Sequence, residues 1–335
     1  MTTEATKSTQ VHPNGITALP TTESAPGQTI PEQANPEQTT PEVAPVMRKR
    51  DPRVLALQRF AMSISAFTIL GHVFFGFEQA PITPIVCLLV GYASAIGFEA
   101  LDAWAYERQP EYAGGARTLG VFLLPAHIGA LACAMLLYGN SSLWPYLFAV
   151  VVGNASKYVV RLRIKGRLRH VLNPSNTGIA VTLVLFDWVG ISPPYHFTNW
   201  LHGTLSWLIP LGILMLGTML NAGLTKKIPL IAAWVGGFVL QALVRWLVLD
   251  HALVGALLPM TGVAFILFTN YMITDPGSTP TARRGQVVFG LTAAAVYGVL
   301  VSLGIVFGLF FALVITCLLR GGVLLVARAR GRVPA

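Results

Sequence analysis

The sequence predicts an all-α integral membrane protein of about ten transmembrane helices with both termini in the cytoplasm. Three observations predict it. Hydrophobic residues make up 54% of the chain and charged ones only 11%, with a mean hydropathy of +0.62, far from the balance of a soluble domain. From about residue 55 onward, apolar stretches of roughly the 20 residues a bilayer requires follow one another to the end. Lys and Arg then fall in every other connection, which is the pattern of cytoplasmic loops.

The stretches run 55–77, 82–104, 118–138, 142–160, 172–188, 204–222, 228–249, 254–273, 285–303 and 305–326. The first follows Arg48, Lys49, Arg50 and Arg53. Arg108 and Arg117 separate the second from the third, and the fourth runs into the six basic residues of 157–169. Lys226 and Lys227 follow the sixth, Arg283 and Arg284 the eighth, and Arg320, Arg328, Arg330 and Arg332 mark the end. The connections GFEQA, GNSS and ISPPYHFTNWLHG, and the stretch around Asp250, carry no Lys or Arg. Arg245 is the exception. Gly304 is the sole marker of a turn between the last two stretches. The net charge of +9 is thus a topology signal, and nucleic acid is excluded as a partner.

Residues 1–47 are rich in Thr, Pro, Glu and Gln and poor in aromatics. They bury too little to fold and are expected to be a disordered cytoplasmic tail, lacking the charged start and apolar run of a signal peptide. The transmembrane domain is then 48–335. Cys87, Cys133 and Cys317 sit inside separate spans without a CxxC pair or adjacent histidine, as buried thiols do, and no metal site is expected.

Polar groups inside spans are costly and carry the functional candidates. Glu99 and Asp102 share one face of the second helix near its cytoplasmic end. They are either an interfacial pair partnered by loop arginines or a proton or cation site. His72 and His127 lie deeper, where such residues usually hydrogen-bond a neighbouring helix. The fifth stretch opens with Asn173-Pro174-Ser175-Asn176, a side-chain cap followed by proline at the first helical position. This is a built helix N-terminus, whose free amides suit an anionic or carbonyl-rich ligand, or else a plain cap. Residues 271–285 read YMITDPGSTPTARRG. Pro276 should end the eighth helix near Asp275, and Asp-Pro and Thr-Pro repeat the cap-plus-proline pattern. Two polar helix ends then face the same side, one in each half of the chain, as when a site lies between two bundles. No residue-level repeat accompanies them.

With these elements in place, the chain resembles the membrane family of the Rnf complex D subunit and the B subunit of the sodium-translocating NADH:quinone oxidoreductase. The resemblance rests on Asn173, Pro174, Thr274, Asp275, Pro276, Ser278, Pro280, Gly285, Gln286 and Gly290, and spans most of 55–325. It implies ten helices in two five-helix halves that carry flavins and pass electrons. Electron-transporting members have a Ser-Gly-Ala-Thr type sequence after the fifth helix for covalent FMN. The corresponding loop here, residues 187–203, has none, and Thr198 and Thr204 lack the flanking Gly-Ala, so covalent FMN is not expected. The chain looks similar to divergent members found beside natural-product pathways, including enediyne biosynthesis proteins, in a bacterial cell membrane.

The leading expectation is a noncovalent riboflavin or FMN site built by Lys157, Asn173, Ser175, Asn176, Thr274, Asp275 and Ser278, with no self-contained catalytic constellation. The expected partners are the lipid bilayer and other redox subunits or pathway enzymes. Two other readings stand beside it: a small-molecule transporter or export protein, and a membrane anchor for pathway enzymes.

Overall fold

Side-chain caps open two of the described helices, at Asp51 and at Asn173. The structure is a computed structural model that describes residues 51–164, 167–193, 198 and 203–331. The tail expected at 1–47 lies outside them, as does part of the 187–203 loop. All described residues belong to one compact unit, Lys49–Ala335.

Asp51 caps α1 (Pro52–Val73) by accepting from the amide of Arg53 at 2.9 Å. Then come α2 (Ile82–Ala105), α3 (Ala116–Leu136), the short strand β1 (Leu137–Tyr138) and α4 (Trp144–Val159). Strands β2 (Arg161–Ile164) and β3 (Arg167–His170) lead to α5 (Pro174–Leu185) and strand β4 (Gly190–Ile191). The second part has α6 (Leu205–Leu220), which continues as a π-turn over Asn221–Thr225, and α7 (Ile228–Leu249). A segmented stretch follows: α8 (Leu253–Leu257), a 3₁₀ turn at Leu258–Thr261, α9 (Val263–Leu267) and a π-turn at Phe268–Met272. Helices α10 (Arg283–Ser302) and α11 (Gly308–Ala329) complete the chain.

Among the described residues, seven helices are long and apolar enough to cross a membrane, eight if the bent pair around α8 and α9 is one span. This is an all-α membrane protein. Four expectations need correction. The fourth and fifth stretches form helices of only 16 and 12 residues, short of the roughly 20 needed. The eighth is broken by 67° between Leu253–Thr261 and Val263–Met272, where Pro259 and Gly262 interrupt the helix. The basic loop is an antiparallel hairpin with Arg161 opposite His170 and Leu162 opposite Arg169. No helix begins at Asp275; the preceding π-turn ends at Met272 and the next helix starts at Arg283. Gly304 does mark the last turn, with φ +74° between α10 and α11.

Packing repeats. Helix α1 lies on α3, α2 on α3 and α4, and α4 on α5; later α6 lies on α9, α7 on α8 and α10, and α10 on α11. With α8 and α9 counted together as the counterpart of α3, these four contacts recur in the same order, whereas the packing of α3 on α4 and α5 has no comparable counterpart. Each set contains a helix pair in close approach through glycine. A Cβ on Gly178 would lie 2.0 Å from the Ala149 carbonyl oxygen in α4, and one on Gly290 2.7 Å from the Leu230 carbonyl oxygen in α7. Small residues are what let membrane helices pack backbone to backbone. The second set is filled by aromatics: Trp234, Phe238, Phe265 and Phe268 are all buried. The Trp234 indole donates to Thr269 at 3.0 Å. Helices α5 and α11 join the two sets.

Candidate functional site

Asn173 builds the first wall. Its Oδ1 accepts from the Asn176 amide at 3.0 Å and the Ser175 hydroxyl at 3.1 Å, while its Nδ2 donates to the Met272 carbonyl at 2.9 Å. One asparagine therefore caps α5 and ties it to the end of the segmented stretch. Asn176 is fully buried and donates to the Phe310 carbonyl at 2.9 Å.

The TDPGSTP segment is a self-bonded turn. Oδ2 of Asp275 accepts from the Ser278 amide at 2.9 Å and its hydroxyl at 2.7 Å. The Thr274 hydroxyl donates to the Asn270 carbonyl at 2.8 Å, and that of Thr279 to the Asp275 carbonyl. Two cations brace the turn from outside. Lys227 donates to the Thr279 hydroxyl at 2.8 Å and the Pro280 carbonyl at 2.7 Å, and Arg320 to the Ser278 carbonyl at 2.9 Å. Lys227 is 2% exposed. Burial pushes its ammonium down to about 8 against the attraction of Asp275. The His170 ring on the hairpin meets Asp275 at 3.6 Å. Gly277 permits this approach, since a Cβ there would lie 2.2 Å from His170 Nε2.

Both polar segments line one cavity of about 130 Å³, and Lys157, Asn173, Ser175, Thr274 and Asp275 are all in its wall. Asn176 and Ser278 are not. They stand behind it, holding Phe310 and Asp275. Sequence reasoning missed His170 and Tyr271, which also line it. Phe60, Ile64 and Phe67 of α1 and Pro125 and Ile128 of α3 form the apolar side. Tyr271 stands edge-on to Phe60 and Phe67, with centroids 5.6 and 5.9 Å apart. Asn173 and Thr274 spend their side chains on the protein's own backbone, so Lys157 and Asp275 are the charged groups in the wall, beside the imidazole of His170. The Lys157 ammonium donates to Asn154 Oδ1 at 3.3 Å.

No protein-family model and no curated protein matches the chain. The site is therefore read from its own residues. Of the other intramembrane candidates, Glu99, Asp102 and His127 are partnered within the protein, whereas the His72 ring meets the Thr68 carbonyl of its own helix at 2.8 Å and leaves its buried Nε2 without a hydrogen-bond partner. Glu99, 2% exposed, meets Arg108 at 2.6 Å and accepts the Glu111 amide at 2.8 Å. Asp102 meets both Arg108 and Arg161 at 2.5 Å. The loop-arginine reading of this pair is thus the one observed, and two carboxylates balance two guanidiniums. The Ser65 hydroxyl donates to the Ala61 carbonyl at 2.8 Å, so it accepts from His127 Nε2 at 2.7 Å, leaving Nδ1 to accept from Tyr92 at 2.6 Å. His127 is a neutral interhelical link. Cys87, Cys133 and Cys317 are buried and free.

Asp275 gives the site a pH signature. Burial opposes its ionisation, but His170 and the Ser278 hydroxyl and amide outweigh burial and hold the carboxyl well below the usual carboxylate range. A carboxylate depressed on folding contributes stability above its unfolded value of about 3.9, and the contribution drains away as pH falls toward the folded value. The melting temperature in detergent is expected to drop below about pH 5, and Asp275→Asn to flatten that drop. Parallel curves for the two proteins would remove Asp275 from the account.

Proposed function

We propose that the chain is a divergent RnfD/NqrB-like membrane protein that binds riboflavin or FMN noncovalently in this cavity and serves as an electron-transfer subunit. The observation that carries the reading is that the NPSN and TDPGSTP segments, about a hundred residues apart, line the same cavity. The repeated neighbour order supports two five-helix halves. The alternation of basic connections supports a cytoplasmic position for the cavity's polar end and for both termini. A bacterial cell membrane and service to enediyne or other natural-product biosynthesis, beside redox subunits or pathway enzymes, follow from the same resemblance.

The residues suit one edge of a flavin ring. Its mixed N–H and carbonyl rim finds an ammonium, an imidazole and a carboxylate, and its flat faces find Phe60, Phe67 and Tyr271. The enclosed space of about 130 Å³ is below the roughly 300–1,000 Å³ of small-molecule sites. Full entry of the ring therefore requires the α1 side to give way. The flavin, when bound, supplies the electron transfer; the protein supplies orientation and a dry wall.

Full-length protein purified in detergent is expected to carry, or take up from solution, riboflavin or FMN, seen as flavin absorption that denaturation releases. A colourless preparation that takes up neither would overturn the reading. The bent α8–α9 stretch and the short α5 favour a second reading, a small-molecule transporter built on broken helices. It is distinguished by flux into proteoliposomes with no redox partner present.

A further inference from the structure

Arg245, the basic residue that breaks the alternation of the connections, has no counter-ion in the fold. It stands four residues before the last residue of α7, about 6 Å along the axis, at the end of that helix away from Lys226 and Lys227. Its Nη2 lies 3.0 Å from His251 Nδ1. A guanidinium only donates, so Nδ1 accepts and the imidazole is neutral. The side chain is half-buried, and its Nε is buried without a hydrogen-bond partner. Among the described residues Arg245 forms no ion pair, and neither does the exposed Asp250 that ends the helix. Gln241, one turn earlier on the same face, also has a buried Oε1 without a partner. Turned toward Nε, it would supply an acceptor but no charge.

We propose that Arg245 anchors the headgroup of a bound anionic phospholipid, in the leaflet away from the basic connections. The proposal is independent of the flavin reading. A guanidinium left unpaired against hydrocarbon is costly, and arginine avoids that cost by laying its stem on apolar surface and holding its head at the interface. There a phosphodiester accepts paired N–H bonds from the planar fork. A lipid of net negative charge cancels the cation, whereas a zwitterionic one brings a cation of its own. The surroundings favour an amphiphile over a free anion. Val244, Trp246, Leu247 and Val248 in α7 are exposed, as are Val254 and Leu258 in the segment that follows and packs on it. Acyl chains have apolar side chains to lie on beside the charge.

The test reconstitutes the full chain in phosphatidylcholine bilayers containing a rising share of lipid brominated in its acyl chains, either phosphatidylglycerol or phosphatidylcholine. Bromine quenches nearby indoles, and the Trp246 part of the signal is the difference between wild type and Trp246→Phe. Phosphatidylglycerol is expected to be preferred at this position by at least about threefold, the scale of a part-exposed ion pair. Arg245→Gln, measured with the same subtraction, should bring the two lipids to parity, and Arg245→Lys should keep part of the preference. Equal quenching by both lipids in the wild type, or a preference that survives Arg245→Gln, overturns the assignment. So does inorganic phosphate that abolishes the preference, because the occupant is then a free anion. The wild-type ratio at Trp246 decides the matter even if Arg245→Gln does not fold.

Discussion

Gly178→Val is expected to destabilise the protein by more than any surface change and to pull apart the walls of the candidate site. The new Cβ would lie 2.0 Å from the Ala149 carbonyl oxygen, 2.9 Å from its carbon and 3.2 Å from the Gly153 nitrogen. All three are backbone atoms of α4, so no side chain can swing aside. Gly153 faces the same constraint in return, with a Cβ there 2.8 Å from the Pro174 carbonyl oxygen. Overpacking in a dense interior costs about 1–3 kcal/mol, and a clash with an unyielding backbone belongs at or above the top of that range. Helix α5 must move away from α4, carrying Asn173 and its bond to Met272 with it. The melting temperature in detergent should therefore fall markedly, and the flavin uptake proposed above, if the wild type shows it, should be lost with it. A variant that melts beside the wild type would show that the two helices are not as close as described.

Asp102→Asn is the second large effect. Arg161 holds both carboxylate oxygens, at 3.1 and 2.5 Å, and Arg108 a third contact at 2.5 Å. Neutralising Asp102, 9% exposed, leaves two guanidiniums facing an amide, with Glu99 able to balance only Arg108. Breaking a buried pair from one side typically costs about 3–5 kcal/mol. The arginine side chains are 34% and 18% exposed, so the low end, about 3 kcal/mol, is expected. Because Arg161 opens the hairpin and His170 closes it in register, the loss should also loosen the His170 contact with Asp275. A double-mutant cycle of Asp102→Asn with Arg161→Gln should return a coupling of about 1–3 kcal/mol, and simple additivity would refute the linkage.

How much of this could be read in advance depends on whether a feature is local. Charge alternation and the length of apolar runs located α2 and α7 within a residue or two, and Gly304 located the last turn. Hydropathy misjudged α5 because the run 172–188 stays apolar through Phe186 and Trp188 after the helix has ended and the chain has turned toward β4. It cannot register a bend either, although Pro259 and Gly262 stand at the break. The hairpin was written plainly as RLRI and RLRH, a strict two-residue alternation; the weight of its arginines as topology markers hid it. Asn173 and Asp275 were legible as site residues because caps and turns are local hydrogen-bond chemistry. Lys227, Arg320 and His170 were not, since each acts on a turn 42 or more residues away, and nothing in their own neighbourhoods points there.

The brevity of α5 bears on how the chain is made. Twelve residues rise about 18 Å against roughly 30 Å of hydrocarbon, too little for a nascent segment to partition into lipid unaided. Its two ends instead meet protein: the Asn173 side chain at one, and β4 paired with β1 at the other. Helix α5 can complete its insertion only alongside α4 and α3, already synthesised, and its upper turns wait for Met272 and Phe310, still to emerge from the ribosome. The contacts of Asn173 with Met272 and of Asn176 with Phe310 can therefore close only after those later residues have been made.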